Sequence, residues 1–257
     1  MVYIIIPLVA AFASLLTFFS GFGLGTLLTP AFAIFFPIEL AVGLTAIVHF
    51  LNGLLKLSLV GRYASKEVIL RFGVPAIFAA LLGAWVLSQI SNMPPLLRYE
   101  LFEHEFLILP IKLIMAALIL FFTIFELLPK LRDLEVSKKY LSAGGLISGF
   151  FGGLSGHQGA LRSAFLARSG LSKEQYLGTG AVIASMIDVA RISVYSRTVS
   201  SEILTNNLPL LSISTFSAFV GAYIGNKLLK KTTMESVQTI VSISLFLLAI
   251  TMAAGII

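Results

Sequence analysis

The sequence predicts an all-α polytopic membrane protein of two inverted repeats, each a glycine-hinged (re-entrant or broken) helix pair followed by three transmembrane helices. Three observations carry this expectation. Of the 257 residues 58% are hydrophobic and only 12% charged, about half the charged share of ordinary soluble domains. Apolar stretches near twenty residues recur along the chain, enough to cross a hydrocarbon core of about 30 Å. Two glycine-rich breaks then fall at corresponding places in the two halves.

Composition also excludes function classes. The chain has no cysteine, so disulfides, thiolate metal sites and cysteine nucleophiles are ruled out. A net charge of +6 would point to nucleic acid in a soluble protein. Here the basic residues cluster in short loops, as the positive-inside rule requires, and no nucleic-acid partner is expected. No P-loop and no HExxH motif occurs. Glu103, His104 and Glu105 read as a solvated loop rather than a metal site. Neither an enzyme nor a cofactor or metal is called for.

In chain order, the apolar segments read as Tyr3–Phe19, Leu24–Phe36, Leu40–Val60, Val68–Ile90 and Phe106–Leu128. They resume as Leu141–Phe151, Gln158–Ala167, Glu174–Tyr195, Ile203–Leu229 and Val237–Ile257. The N-terminus lacks a basic n-region and a small-residue cleavage site, so Tyr3–Phe19 is expected to stay, spanning or re-entrant. Ser91–Glu105 is the longest polar stretch and reads as a loop. The whole of 1–257 is one integral membrane domain, with repeat one over 1–128, a linker over 129–139 and repeat two over 140–257.

The repeat rests on polar matches. An ungapped shift of 135 residues pairs Ser20-Gly21 with Ser155-Gly156, Glu39 with Glu174, Gly43 with Gly178, Lys56 with Arg191 and Arg62 with Arg197. Three residues further, Leu82-Gly83-Ala84-Trp85 pairs with Val220-Gly221-Ala222-Tyr223. Loop charge puts Arg62–Arg71, Pro129–Lys139, Arg168–Lys173 and Lys227–Lys231 inside, and Ser91–Glu105 and Arg197–Glu202 outside. Arg62–Arg71 and its counterpart Arg197–Glu202 thus face opposite sides. The halves insert in opposite senses, and each hinged pair enters and leaves on one side, the plan of inverted-repeat transporters.

The hinges hold the candidate site. Gly21, Gly23 and Gly25 form the first. Ser148–Ala167 forms the second, with five glycines in its first twelve residues and then Gly156, His157, Gln158 and Arg162. A broken helix at membrane depth is tolerated only where the freed backbone faces protein or water. The half-helix from Gln158 aims its N–H groups into the break, an anion-friendly arrangement. Charges inside a membrane helix cost about 2.5–3.5 kcal/mol each on insertion scales, so each needs a role. His49, Asn52 and Lys56 share one face of one helix, and Asp188, Arg191 and Tyr195 one face of another. Arg162 reads as the principal anion ligand, with Lys56 and Arg191 flanking it and Asp188 tuning them. Plainer readings stand beside this. Lys56 and Arg191 lie near helix ends and can snorkel; Asp188 and Arg191 fit an intrahelical ion pair; His49 fits a satisfied interior histidine; the glycines fit helix packing. Glu39 and Glu174 read as helix-start residues, with Ser172 and Gln175 forming a capping box.

At the glycine-rich turn Ser20-Gly21-Phe22-Gly23-Leu24-Gly25, running to Thr29-Pro30, and its partner Gly149–Gly159, the chain resembles the sulfite exporter TauE/SafE family of bacterial membrane transporters. The likeness covers essentially the whole chain. The commoner family form has a triple glycine where Gly25-Thr26-Leu27 and Gly159-Ala160-Leu161 stand here, and His157–Arg162 looks like a subgroup signature. The resemblance implies a bacterial plasma-membrane transporter moving sulfite, organosulfonates or related small organic anions, passively or linked to protons, by alternating access. Its expected partners are the small anion and membrane lipid, with a second copy of the chain as a candidate. An anion channel with opposed half-helices and an intramembrane enzyme are the alternatives.

Overall fold

A computed structural model describes residues 1–16, 24–101, 104–132, 136–167, 169–197, 199–228 and 235–256. Among the described residues, ten helices of eight residues or more form where the apolar runs predict them. α1 (Val2–Leu16) and α2 (Leu24–Ala33) precede and follow residues 17–23; α3 (Ile38–Val60), α4 (Lys66–Ser91) and α5 (Pro110–Leu127) complete the first half. α6 (Leu141–Ser155) and α7 (Gly159–Leu166) flank the second hinge and are followed by α8 (Lys173–Tyr195), α9 (Ser201–Leu228) and α10 (Glu235–Ala253). Among the described residues, four helices are long and apolar enough to cross a membrane: α3 with its 3-10 extension to Tyr63, α4, α8 and Ser201–Gly225 of α9. At 1.5 Å per residue, the ten residues of α2 reach about 15 Å and the eight of α7 about 12 Å. Neither can cross a bilayer core.

Local signals set the helix ends. Ser172 caps α8 through the expected capping box with Gln175. α6 stops at Gly156, whose φ of +83° is the left-handed conformation that closes helices and that glycine adopts without strain. Two segments differ from expectation. The helix expected from Phe106 begins at Pro110, because proline lacks an N–H, suits the first helical turn and holds Leu109 extended before it. Phe106 lies instead in a hairpin of β1 (Leu97–Leu101) and β2 (His104–Ile108), which occupies much of the stretch expected to be a polar loop. Tyr99 faces Phe106 across the ladder with ring centroids 5.3 Å apart. Its hydroxyl donates to the Ala254 carbonyl at 2.6 Å, tying the hairpin to the end of α10. α4 also carries a π-turn at Ile69–Gly73 that no sequence signal announced.

Glycines decide which helices touch. α6 lies on α4 with almost no side chain between them: a Cβ on Gly145, Gly149 or Gly153 would stand 2.2, 2.2 or 2.1 Å from the carbonyl oxygens of Phe72, Ala76 and Ala80. Gly83 of α4 meets the Phe150 carbonyl in return, at 2.1 Å. α9 lies on α1 in the same way, with Gly221 2.0 Å from the Ala11 carbonyl oxygen by the same measure. Small residues of this kind let membrane helices approach backbone to backbone. α3 packs on α8 and α5 on α10.

The packing defines two ends. At one, the Ser65 N–H donates to Thr179 Oγ1 at 2.8 Å, Lys138 pairs with Glu67 at 3.2 Å, and the Val136 N–H donates to the Ala164 carbonyl near the end of α7. This end carries Arg62, Lys66, Arg71, Lys138 and Lys139. At the other lie the hairpin, the α2–α3 turn beside Lys112 and Met252, and Val199, which packs on Gly43. α2 and α7 therefore run from the hinges towards opposite ends.

Candidate functional site

The two hinges meet. A Cβ on Gly25, in the first turn of α2, would lie 3.0 Å from the Gly156 carbonyl oxygen. Gly21 and Gly23 lie outside the described residues. Around this crossing α3, α6, α7 and α8 assemble a polar network inside the apolar bundle. Asp188 and Arg191 of α8 are both fully buried. Arg191 Nε donates to Asp188 Oδ1 at 3.0 Å, so the two form the intrahelical pair that their i, i+3 spacing permits. Asp188 Oδ2 lies 2.5 Å from His49 Nδ1 of α3, and Gln158 Nε2 reaches Oδ1 at 3.4 Å. The carboxylate is thus held from two helices and the hinge.

The guanidinium is only partly used. Arg191 Nη2 stands 2.8 Å from Asp188 Oδ1, yet its N–H bonds do not point at that oxygen, and neither Nη1 nor Nη2 has a hydrogen-bond partner. Nη1 faces the hinge: a Cβ on Gly156 would sit 2.9 Å from it and 3.7 Å from Thr29 Oγ1 of α2. The Thr29 hydroxyl is buried and likewise has no partner. Beside it, His157 is buried, with Nδ1 3.0 Å from Ser155 Oγ and its ring stacked on Phe122 at 5.0 Å. Its Nε2 also lacks a partner. Buried polar atoms without partners cost about 1–3 kcal/mol each, and two of these, Arg191 Nη1 and Thr29 Oγ1, both lie beside Gly156.

Arg162, one turn into α7, is half-buried and donates through Nη1 to Gln158 Oε1 at 3.0 Å rather than to Asp188. Ser148 Oγ donates to the Gln158 carbonyl at 3.0 Å, fixing the hinge to α6. α7 starts at Gly159 with no side-chain cap on its first N–H groups. Lys56 lies within electrostatic range of Arg162, and the two form a second cationic pair towards the basic end of the bundle. Asn52 donates to Ser14 Oγ of α1 at 3.4 Å, and its Oδ1 is buried without a partner. The structure therefore gathers His49, Gln158, Asp188 and Arg191 into one hydrogen-bonded cluster, with Gly25, Gly156 and His157 at its edge. Arg162 joins it through Gln158, while Asn52 faces α1 and Lys56 faces Arg162.

Sequence reasoning did not assign Thr29, although it follows the glycine turn directly. Ser14 and Tyr195 were missed as structural partners; the Tyr195 hydroxyl donates to the Gly153 carbonyl and locks α8 to α6. A threonine in an apolar helix is common, and only its missing partner marks this one. No group of three or more His, Asp or Glu side chains able to hold a metal occurs among the described residues.

A family model described as sulfite exporter TauE/SafE matches residues 6–252. No curated protein and no solved structure matches the chain. With that match over nearly its whole length, and with several apolar helices around a buried polar network, the chain belongs to the sulfite exporter TauE/SafE family of multi-pass membrane transporters.

Proposed function

We propose that the chain carries a small sulfur oxyanion, organosulfonate or related carboxylate by alternating access, and that the anion binds where the two hinges cross. The observation that carries this is Arg191: fully buried, with Nη1 free of any hydrogen bond and facing the Gly156 turn beside the unpartnered Thr29 hydroxyl, while Nη2 stays against Asp188. A planar fork of donors with an adjacent hydroxyl matches the oxygens of a sulfonate or carboxylate, which accept charge-assisted bonds about twice as strong as neutral ones. The uncapped N-terminus of α7 adds a partial positive charge on the same side. Arg162 and Lys56 serve as a second binding pair, reached past Gln158, on the way to the basic end.

Inverted repeats suit this reading. The pairs α1–α9 and α6–α4 exchange when the halves are swapped, whereas α3–α8 and α5–α10 map onto themselves. The close contacts exchange too, Gly83 on Phe150 for Gly221 on Ala11. Each hinged pair then opens towards its own side, and the basic end faces the cytoplasm of a bacterial plasma membrane. The test is a binding screen of the purified full chain against sulfite, thiosulfate, sulfoacetate and small carboxylates. It is followed by uptake of the best ligand into proteoliposomes. Accumulation against a gradient supports a transporter, and failure of every anion to bind overturns the site.

A further inference from the structure

An anion at Arg191 raises a charge problem that the surrounding residues address. The buried Asp188–Arg191 pair is neutral as it stands. An anion on Nη1 and Nη2 would share a single guanidinium with Asp188, placing two negative charges beside one positive charge in a medium of low dielectric. The polar groups around this point can be named helix by helix. α8 supplies Asp188, Arg191 and Tyr195; the hinge supplies His157, Gln158 and, beyond it, Arg162; α3 supplies His49 and Lys56. α2 brings only hydroxyls, and the titratable groups of α4 lie in its first two turns, at Lys66, Glu67 and Arg71. Glu202 stands in the first turn of α9, and Tyr223 is on its exposed face. Arg162 keeps its positive charge but reaches Asp188 only through the neutral Gln158, and Lys56 stands beside Arg162. His49 is the titratable group in direct contact with the carboxylate besides Arg191 itself.

Resting on the reading of Arg191 as the anion site, we propose that His49 carries the coupling proton, so that each anion binds and moves together with a proton on the His49–Asp188 pair. A carboxylate only accepts hydrogen bonds, so neutral His49 presents Nδ1–H to Asp188 Oδ2 and holds its in-plane lone pair on Nε2. When the anion engages Arg191, a proton from the water on that side adds to Nε2. The imidazolium then balances Asp188 while the guanidinium turns to the anion. On release the proton leaves Nε2 to the other side; no other bond forms or breaks. The His49 side chain is 17% exposed whereas Asp188 is sealed, so of the two His49 is the one open to its surroundings. An imidazole bonded to a carboxylate between two tightly packed helices also links protonation to the α3–α8 contact, through which the halves meet.

The experiment uses the full chain in liposomes containing a trapped pH-sensitive dye. The driving gradient is of methanesulfonate, whose charge does not change in the neutral range. Wild-type protein is expected to acidify the lumen by one proton per anion and to give the same flux with the membrane potential clamped at either sign. In His49→Gln the side-chain amide still donates to Asp188 but carries no proton. Calorimetry in buffers of different ionisation enthalpy is expected to show about one proton taken up per anion bound by wild type; in His49→Gln that uptake disappears, affinity falls, and anion-driven acidification drops about tenfold or more. Wild-type flux without proton movement overturns the proposal, and this arm needs no variant to fold. An unchanged proton-to-anion ratio in His49→Gln overturns it equally. If wild-type protein neither binds nor moves methanesulfonate or sulfite, the anion site itself falls and the coupling with it.

Discussion

The Arg191 guanidinium packs against the backbone of Gly156, close enough that a Cβ there would stand 2.9 Å from Nη1. Gly156 also holds φ at +83°, a left-handed conformation costing other L-residues about 1–2 kcal/mol. Two demands for glycine thus coincide at the hinge. Gly170, at φ +73° with nothing within 4 Å, carries the conformational demand alone. Gly170→Ala is expected to lower the melting temperature slightly and leave anion affinity intact. Gly156→Ala is expected to lose about tenfold or more in affinity besides, because the methyl displaces the guanidinium. Equal affinities in the two variants would sink the close-contact argument.

Thr29→Val removes one hydroxyl and little volume. In the free protein that hydroxyl is buried and unpaired, so its loss is expected to leave stability unchanged or raise it by about 1 kcal/mol. Anion affinity is expected to drop about tenfold or more, since a hydrogen bond to a charged group is worth about 1.5–3 kcal/mol. Opposite signs for stability and affinity identify a ligand-facing group. A stability loss with unaltered binding would place Thr29 in packing instead.

Arg162→Lys tests the second cationic pair. The guanidinium holds Gln158 Oε1 at 3.0 Å, and a lysine keeps the charge but not the fork. Transport is expected to slow several-fold while equilibrium binding at Arg191 changes little. Loss of binding in this variant, at preserved folding, would move the principal site from Arg191 to Arg162.

Gly83 and Gly221 hold equivalent backbone contacts if the halves are repeats, 2.1 and 2.0 Å from a carbonyl oxygen by the Cβ measure. Backbone cannot give way as a side chain can, so Gly83→Ala and Gly221→Ala are each expected to cost about 1–3 kcal/mol or more. Gly144→Ala, which meets only the Phe165 ring, is expected to cost less. Thermal unfolding in detergent orders the three. A harmless Gly221→Ala would argue against the matched packing of α9 on α1.

Sidedness is checked with single cysteines in a chain that has none. Cysteines replacing Lys66 and Lys138 are expected to label from the cytoplasm, and those replacing Met93 and Ser200 from outside. Labelling of the Lys66 and Ser200 positions from one side would make the repeats parallel and remove the basis for a hinge crossing at mid-membrane.

The sequence by itself determined the helices, the two hinges, the cap at Ser172 and the family, because apolar run length, glycine breaks and capping are local properties that neighbours along the chain enforce. The pairing of Asp188 with Arg191 was legible for the same reason, being three residues apart on one helix. The hairpin at Leu97–Ile108 was not. Its strands are short and charged, and what holds them is the Tyr99–Phe106 stack and the hydrogen bond to Ala254, 155 residues away from Tyr99. His49 meets Asp188 across 139 residues because α3 packs on α8. Only that packing, and the approach of Gly25 to Gly156, placed Arg191 Nη1 beside the Gly156 turn without a hydrogen-bond partner. Which polar atoms a fold leaves unsatisfied depends on every helix around them, and no window of sequence contains them all.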